Sequence, residues 1–211
     1  MNFFGHAAVA SWRSGDPGFV LGAMLPDFAS MIRARAPEVG DPALAEGVAF
    51  HHATDEVFHD ASDFRELCRA SFDELSRAGL GRGAARAVAH IGVEILLDGV
   101  LADEPSARHA YLAALRQRPR LVWRSEPEAQ AFDALLEAMR GRGISRQHTT
   151  PAVVAYRVER ALAGRSRLAL GRGEAALVER WAESARHAVR GRAPGIVAEL
   201  GARFRPARPL G

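Results

Sequence analysis

The densest group of potentially reactive side chains lies between residues 47 and 60, which hold three histidines and three acids. His51, Asp55 and His59 are spaced four residues apart. On an α-helix such residues lie about 40° apart around the axis, so they form one stripe, with His52 and Asp60 beside it. Two imidazoles and a carboxylate that converge in this way can bind Mn, Fe, Zn or Mg. The segment therefore predicts a metal-binding stripe.

A second stripe follows at His90, Glu94 and Asp98, again spaced four residues apart. The residues around it are apolar on nearly all sides, which predicts a buried helix. Buried ionisable side chains are costly unless they are paired, hydrogen-bonded or bound to metal. A single His-x-x-x-Asp pair is explained by a salt link or a solvated face. Two such stripes on apolar helices favour a polar cleft in which facing helices share a metal.

Two further polar residues occur in apolar surroundings near the amino terminus. Asp27 is the carboxylate of the segment Gly22 to Phe28, where it is either a helix cap after Pro26 or a metal-bridging ligand. His6 follows two phenylalanines and a glycine. By itself a histidine at that position is weak evidence for a site.

The elements that must position these residues are helical nearly throughout, because Ala, Leu, Arg and Glu dominate and alternating β-branched runs are few. We predict an all-α compact helical bundle, a single domain over 1–211 whose tail, 203–211, frays. The opening, with Gly15 to Gly18, is predicted to be irregular. Helices are predicted at 42–59 (capped by Asp41), 61–78, 83–102, 105–117, 126–140, 150–163, 172–190 and 194–203.

Composition excludes several classes of protein. No apolar run approaches the roughly 20 residues that a membrane span needs, and the amino terminus does not have the pattern of a signal peptide, so we expect a cytoplasmic protein. The single cysteine, Cys68, excludes an internal disulfide framework. The formal net charge is +3, and every basic residue is Arg. So small a surplus does not predict nucleic-acid binding.

Three of these segments contain the patterns Asn2-Phe3-x-x-His6, Gly22-x-x-x-x-Asp27-Phe28 and Gly47-x-x-x-His51-x-x-x-Asp55. Together these patterns resemble the acyl carrier protein phosphodiesterase family. His52 stands where that family usually has Arg, and His59 where it commonly has Asp. Its later Asp-x-x-x-Asp-His pattern corresponds here to His90-x-x-x-Glu94-Ile95. The match covers roughly the first 60 residues in order.

The resemblance implies a helical fold like that of the HD-type metal phosphohydrolases. It also implies Mn-dependent hydrolysis of the phosphodiester that joins 4′-phosphopantetheine to a carrier-protein serine. Fe, Mg or Zn are alternatives to Mn. By position, His6, Asp27, His51 and Asp55 match the polar motif residues of the family. We predict that the metal ligands are His6, Asp27, His51, Asp55, His90 and Glu94. His52 and His59 would orient water or protonate the leaving alkoxide, with Asp55 also in the catalytic set.

Two other functions stay open because the later pattern departs from the family. The chain is either a related metal phosphohydrolase acting on a nucleotide, a phospholipid or another small phosphoester, or a non-catalytic helical interaction protein. The expected partner is accordingly an acyl carrier protein or a small phosphoester. Contact residues set the substrate, so a metal site can persist while the substrate changes.

Overall fold

The computed structural model describes residues 1–144 and 149–206, and it is all-α apart from one pair of two-residue strands. The elements in those residues are α1 (Phe3–Arg13), α2 (Pro17–Met31), β1 (Glu38–Val39), α3 (Pro42–Asp60), α4 (Ser62–Arg77), α5 (Arg82–Leu101), α6 (Pro105–Leu115), β2 (Leu121–Val122), α7 (Glu126–Arg142), α8 (Pro151–Leu162) and α9 (Glu174–Phe204). The predicted all-α class is confirmed.

Polar caps start the helices that carry the candidate site. The side chain of Asn2 accepts a hydrogen bond from the Phe3 amide at the start of α1. Asp16 accepts from two amides in the first turn of α2, and Pro17 begins that helix. Asp41 Oδ1 accepts from the Leu44 amide at 3.0 Å, which confirms the predicted cap of α3. Each cap satisfies amides that have no partner within the helix.

The predicted helices between residues 42 and 163 agree with α3 to α8 to within about two residues at most ends. The prediction of an irregular opening is wrong, because α1 and α2 lie in that part of the chain. Every residue of α1 from Phe3 to Ala10 is buried, so this helix has no polar face to give a periodic signal.

The predicted break near Gly191 is also wrong, since α9 continues through Gly191 and Pro194. Burial of Ala193 and Ile196 offsets the hydrogen bond that Pro194 cannot make. Of the predicted frayed tail, Arg203 and Phe204 are helical, and 207–211 lie outside the described residues.

The chain divides into two compact units. Unit 1 comprises residues 1–57, 104–144 and 200–211, and unit 2 comprises 58–103 and 145–199. The predicted single domain stays a prediction, since α3 and α9 contribute residues to both units. In unit 1, α1 packs against α2 and α6, and α2 also packs against α7. The antiparallel pair β1–β2 joins Glu38 to Val122 and Val39 to Leu121.

In unit 2, the buried helix α5 packs against α4 and α8. Its apolar residues include Val88, Val93, Leu96 and Leu97, each at most 3% exposed. The prediction of a buried helix around the second stripe is therefore confirmed. The Cys68 side chain, on α4, is partly buried.

Within unit 1, α2 and α3 touch backbone to backbone at two glycines. A Cβ atom on Gly22 would lie 2.1 Å from the Leu44 carbonyl oxygen, and one on Gly47 would lie 2.1 Å from the Phe19 carbonyl oxygen. No side chain fits at either position, so both glycines are required for this close approach. Gly47 lies one turn before His51, and the crossing therefore holds that histidine against α2.

Candidate functional site

His6 lies at the centre of the buried helix α1, and its side chain is fully buried. Its Nδ1 atom is 3.0 Å from Thr54 Oγ1 on α3. The Thr54 hydroxyl has one hydrogen, which it donates to the backbone carbonyl of Phe50 or His51, at 3.0 and 2.9 Å. Its oxygen is left to accept, so Nδ1 of His6 carries a hydrogen and Nε2 presents the other side of the ring.

His51 is held in the same manner from the other direction. Its Nδ1 atom is 2.9 Å from the carbonyl oxygen of Ala23, on α2. A carbonyl oxygen can only accept, so Nδ1 of His51 also carries a hydrogen. The rings of His6 and His51 stack with centroids 3.8 Å apart, and their Nε2 atoms face the same carboxylate. Histidines that bind metals are oriented in this way, by donating the other ring hydrogen to a protein oxygen.

Asp55 is that carboxylate. Its Oδ1 lies 3.2 Å from Nε2 of His6, and its Oδ2 lies 3.5 Å from Nε2 of His51. The α-amino nitrogen of Met1 is 2.6 Å from the same Oδ1. Burial alone would raise the pKa of Asp55, but the hydrogen bond from His6 and the charge of the α-amino group outweigh it and hold that pKa well below its usual range. Asp55 is therefore an anion at neutral pH.

Burial lowers the pKa of the His51 imidazole to about 4, with the nearby His6 acting in the same direction. At neutral pH this ring is uncharged. With a hydrogen already on Nδ1, its Nε2 carries a lone pair, and this lone pair faces a carboxylate oxygen. Two electron pairs that face each other in a partly buried site favour a cation between them.

Asp27 completes the group from α2. Its Oδ2 lies 4.0 Å from Nε2 of His6, and its side chain is 28% exposed. One ligand atom each from His6, Asp27 and His51 lies within 4.8 Å of the others. Asp27 is ten residues into α2, so its alternative interpretation as a helix cap is wrong. We call His6, Asp27, His51 and Asp55 the amino-terminal cluster.

The amino-terminal cluster fits a divalent metal ion by its chemistry. Two imidazole nitrogens and two carboxylates supply the mixed N and O donor set that Mn, Fe and Zn accept. The histidines are buried, whereas the carboxylates are 28% and 29% exposed, so the group opens towards solvent on the carboxylate side. Such a site can hold an ion and still admit a substrate.

Three other predicted site residues lie together in unit 2. Nε2 of His59 is 3.3 Å, and Nε2 of His90 is 3.2 Å, from the same oxygen, Oε1 of Glu94. One ligand atom from each lies within 4.8 Å of the other two. We call this group the α5 cluster. The structure thus groups His90 and Glu94 with His59, and a single ion shared by all six predicted ligands stays a prediction.

Burial alone would raise the pKa of Glu94, but hydrogen bonds from His59 and His90 outweigh it and leave that pKa well below its usual range. Glu94 is thus ionised within a nearly closed environment, its side chain 12% exposed. Burial, together with the charge of Glu94, raises the pKa of the Cys68 thiol to about 12. The thiol stays protonated at neutral pH, which agrees with a packing role.

The remaining predicted residues have different surroundings. Asp98, third in the second stripe, is buried, and its Oδ2 lies 3.7 Å from the Arg157 guanidinium on α8. It is thus placed in an ion pair and not in the α5 cluster. His52 is exposed, and its ring meets that of His51 edge-on at 5.2 Å. It is the exposed imidazole adjoining the amino-terminal cluster.

The sequence interpretation did not single out Thr54 or the carbonyl of Ala23, the groups that fix the two ring orientations. Thr54 gives a usable signal: it is a hydroxyl side chain inside a helix, next to Asp55, and its side chain bonds back to the preceding turn. The Ala23 carbonyl gives none, since every residue has a carbonyl. Its role follows only from the crossing of α2 and α3.

Comparison with known proteins returned no matching family model, no matching curated protein and no matching solved structure. The resemblance of the first 60 residues therefore rests on the motif residues themselves. No helix in residues 1–144 and 149–206 combines the length and the apolar character that crossing a membrane requires.

Proposed function

We propose that this protein is a metal-dependent phosphodiesterase that releases 4′-phosphopantetheine from a holo-carrier protein. The observation that carries the proposal is the amino-terminal cluster. Three separate sequence motifs, on α1, α2 and α3, contribute two buried histidines with fixed rings and two partly exposed carboxylates to one place. These are the motifs on which the resemblance to the acyl carrier protein phosphodiesterase family rests.

His6 and His51 would hold a divalent ion through Nε2, and Asp27 and Asp55 would hold it through carboxylate oxygens. A divalent ion at such a site lowers the pKa of bound water and polarises a phosphoryl oxygen. Manganese is our first choice because of the resemblance, and Fe, Mg and Zn also accept this donor set.

The side chains themselves provide orientation and proton transfer. Thr54 and the Ala23 carbonyl keep the two rings in place, so the ligand atoms need no rearrangement when substrate binds. His52, exposed beside His51, can donate a proton to the leaving serine alkoxide. The predicted participation of His59 in the same reaction stays a prediction.

The test is turnover by the full-length protein after chelation and resupply with Mn²⁺. The substrates are holo-carrier protein, with release of 4′-phosphopantetheine measured, and bis-p-nitrophenyl phosphate as a small diester. We expect His51→Gln to lower turnover by about 100-fold or more, as removal of a group essential to the chemistry does. His109→Gln, an exposed histidine on α6, is the matched control and should keep wild-type turnover.

Each other result counts against a named part of the proposal. Wild-type turnover by a folded His51→Gln protein would remove the amino-terminal cluster from the reaction. If the protein cleaves the small diester but does not cleave holo-carrier protein, the proposed substrate is wrong and a small phosphoester is the substrate class. Absence of turnover on both substrates would leave the non-catalytic interpretation.

A further inference from the structure

The α5 cluster has the geometry of a metal site. In tetrahedral coordination with ligands about 2.0–2.1 Å from the ion, two ligand atoms are about 3.3–3.4 Å apart. The two Nε2···Oε1 distances are 3.3 Å for His59 and 3.2 Å for His90. These contacts are hydrogen bonds to Glu94, and an ion that displaced the two Nε2 hydrogens would meet ligand atoms at the spacing of four-coordination.

The rings are held by packing and not only by the carboxylate. Phe64, on α4, lies with its ring centroid 5.6 Å from that of His59 and 5.4 Å from that of His90. Phe64 is 3% exposed, so the core fixes its position. His90 and Glu94 are one turn apart on α5, which places both on the same helix face. One helix, α5, and the end of another, α3, thus supply the three ligands, and Phe64 on α4 packs against both rings.

Access differs from one ligand to the next. The side chains of His59 and His90 are 37% and 46% exposed, whereas that of Glu94 is 12% exposed. His90 also lines an open groove with Cys68, Arg69, Phe72, Arg86 and Ala89. A site with three protein ligands and exposed imidazoles leaves coordination positions for water or an anion. Closed structural zinc sites, by contrast, have four protein ligands.

We propose that His59, His90 and Glu94 form a second metal site, which binds a first-row transition ion of the zinc type and leaves positions open to water or an anion. Two imidazoles and one carboxylate suit Zn, Co, Ni or Cu better than Mg or Ca, which prefer all-oxygen ligands. The proposal rests on contacts within unit 2 and on no residue of the amino-terminal cluster.

The experiment counts ions bound to the full-length protein. Chelated protein is titrated with Co²⁺ at pH 7.5, with binding followed by calorimetry and by the visible absorption of four-coordinate Co²⁺. We expect His90→Gln and the isosteric Glu94→Gln each to lose one bound ion, or to bind it more than about 10-fold more weakly. His187→Gln, an exposed histidine on α9 of the same unit, should bind as wild type.

His51→Gln separates this proposal from the preceding one. If His90→Gln and Glu94→Gln bind as many ions as wild type with equal affinity, the α5 site is wrong, whatever His51→Gln does. If His90→Gln and Glu94→Gln each lose one ion while His51→Gln binds as many ions as wild type, the α5 site stands and the proposed amino-terminal metal site is wrong. Circular dichroism of each variant establishes that a lost ion does not reflect a lost fold.

Discussion

At the scale of single residues, the amino-terminal cluster depends on which ring nitrogen of each histidine carries the hydrogen. Nδ1 of His6 donates to Thr54 and Nδ1 of His51 to the Ala23 carbonyl, which directs both Nε2 atoms towards the carboxylates. Thr54 is therefore as much a part of the site as the proposed ligands, although it would not itself touch an ion. The same carboxylate, Asp55, lies within 3.5 Å of both rings.

The neutral state of His51 makes the stability of the metal-free protein depend on pH. Burial lowers its pKa from 6.5 to about 4 in the folded protein. Between these values the unfolded chain binds a proton that the folded one does not, so the free energy of unfolding falls as pH falls from 6.5 to 4. The contribution of this residue is about 3 kcal/mol at most.

Urea unfolding of the chelated protein from pH 7.5 to 4 measures this effect against His51→Gln. Over that range, we expect the free energy of unfolding to fall more in the wild type than in His51→Gln. Above pH 7, the slope of this free energy against pH should be the same in the two proteins. If the free energy of unfolding has the same dependence on pH in both proteins from pH 7.5 to 4, the fold does not keep the His51 imidazole neutral.

At the scale of helices, the contact of α2 with α3 at Gly22 and Gly47 positions the site. Gly22→Ala places a methyl group against the Leu44 carbonyl, and Gly47→Ala places one against the Phe19 carbonyl. The helices must separate to admit it, so we expect each change to cost about 1–3 kcal/mol of stability and to weaken metal binding by more than 10-fold.

Gly40→Ala is the matched control for these variants, since a Cβ there meets no atom within 4 Å. Thermal unfolding and metal titration of the three proteins provide the comparison. Wild-type metal affinity in both Gly22→Ala and Gly47→Ala would show that the close helix contact does not set the geometry of the ligands.

The sequence predicts helices better than it predicts their contacts. The i, i+4 relation of His51 to Asp55, and of His90 to Glu94, follows from helical spacing alone, and both pairs meet as predicted. Asp98 has the same spacing but pairs with Arg157, because its partner depends on the packing of α8. His6 becomes a candidate ligand only through the resemblance, and the sequence leaves Asp27 with two interpretations, because α1 and α2 are buried and give no amphipathic period.

At the scale of the whole molecule, metal binding should stabilise the folded chain by mass action. An ion present at about 100 times its dissociation constant adds about 2.7 kcal/mol, which corresponds to a rise of roughly 5–10 °C in Tm for a protein of this size. We expect Mn²⁺ to produce this rise in the chelated wild type and a much smaller one in His51→Gln. Differential scanning fluorimetry measures both, and an equal rise in the two proteins would assign the stabilisation to other residues.

The hydrogen bonds at Nδ1 of His6 and His51 have a consequence for how an ion would enter the amino-terminal cluster. Neither ring has to flip or change tautomer, because Thr54 and the Ala23 carbonyl have already selected the orientation that exposes Nε2. Loading then requires the aquo ion to shed water and the Met1 α-amino group to leave Oδ1 of Asp55, but it requires no rotation of either ring. The emptied protein should recover its ion in a single fast phase, with its helix content unchanged throughout.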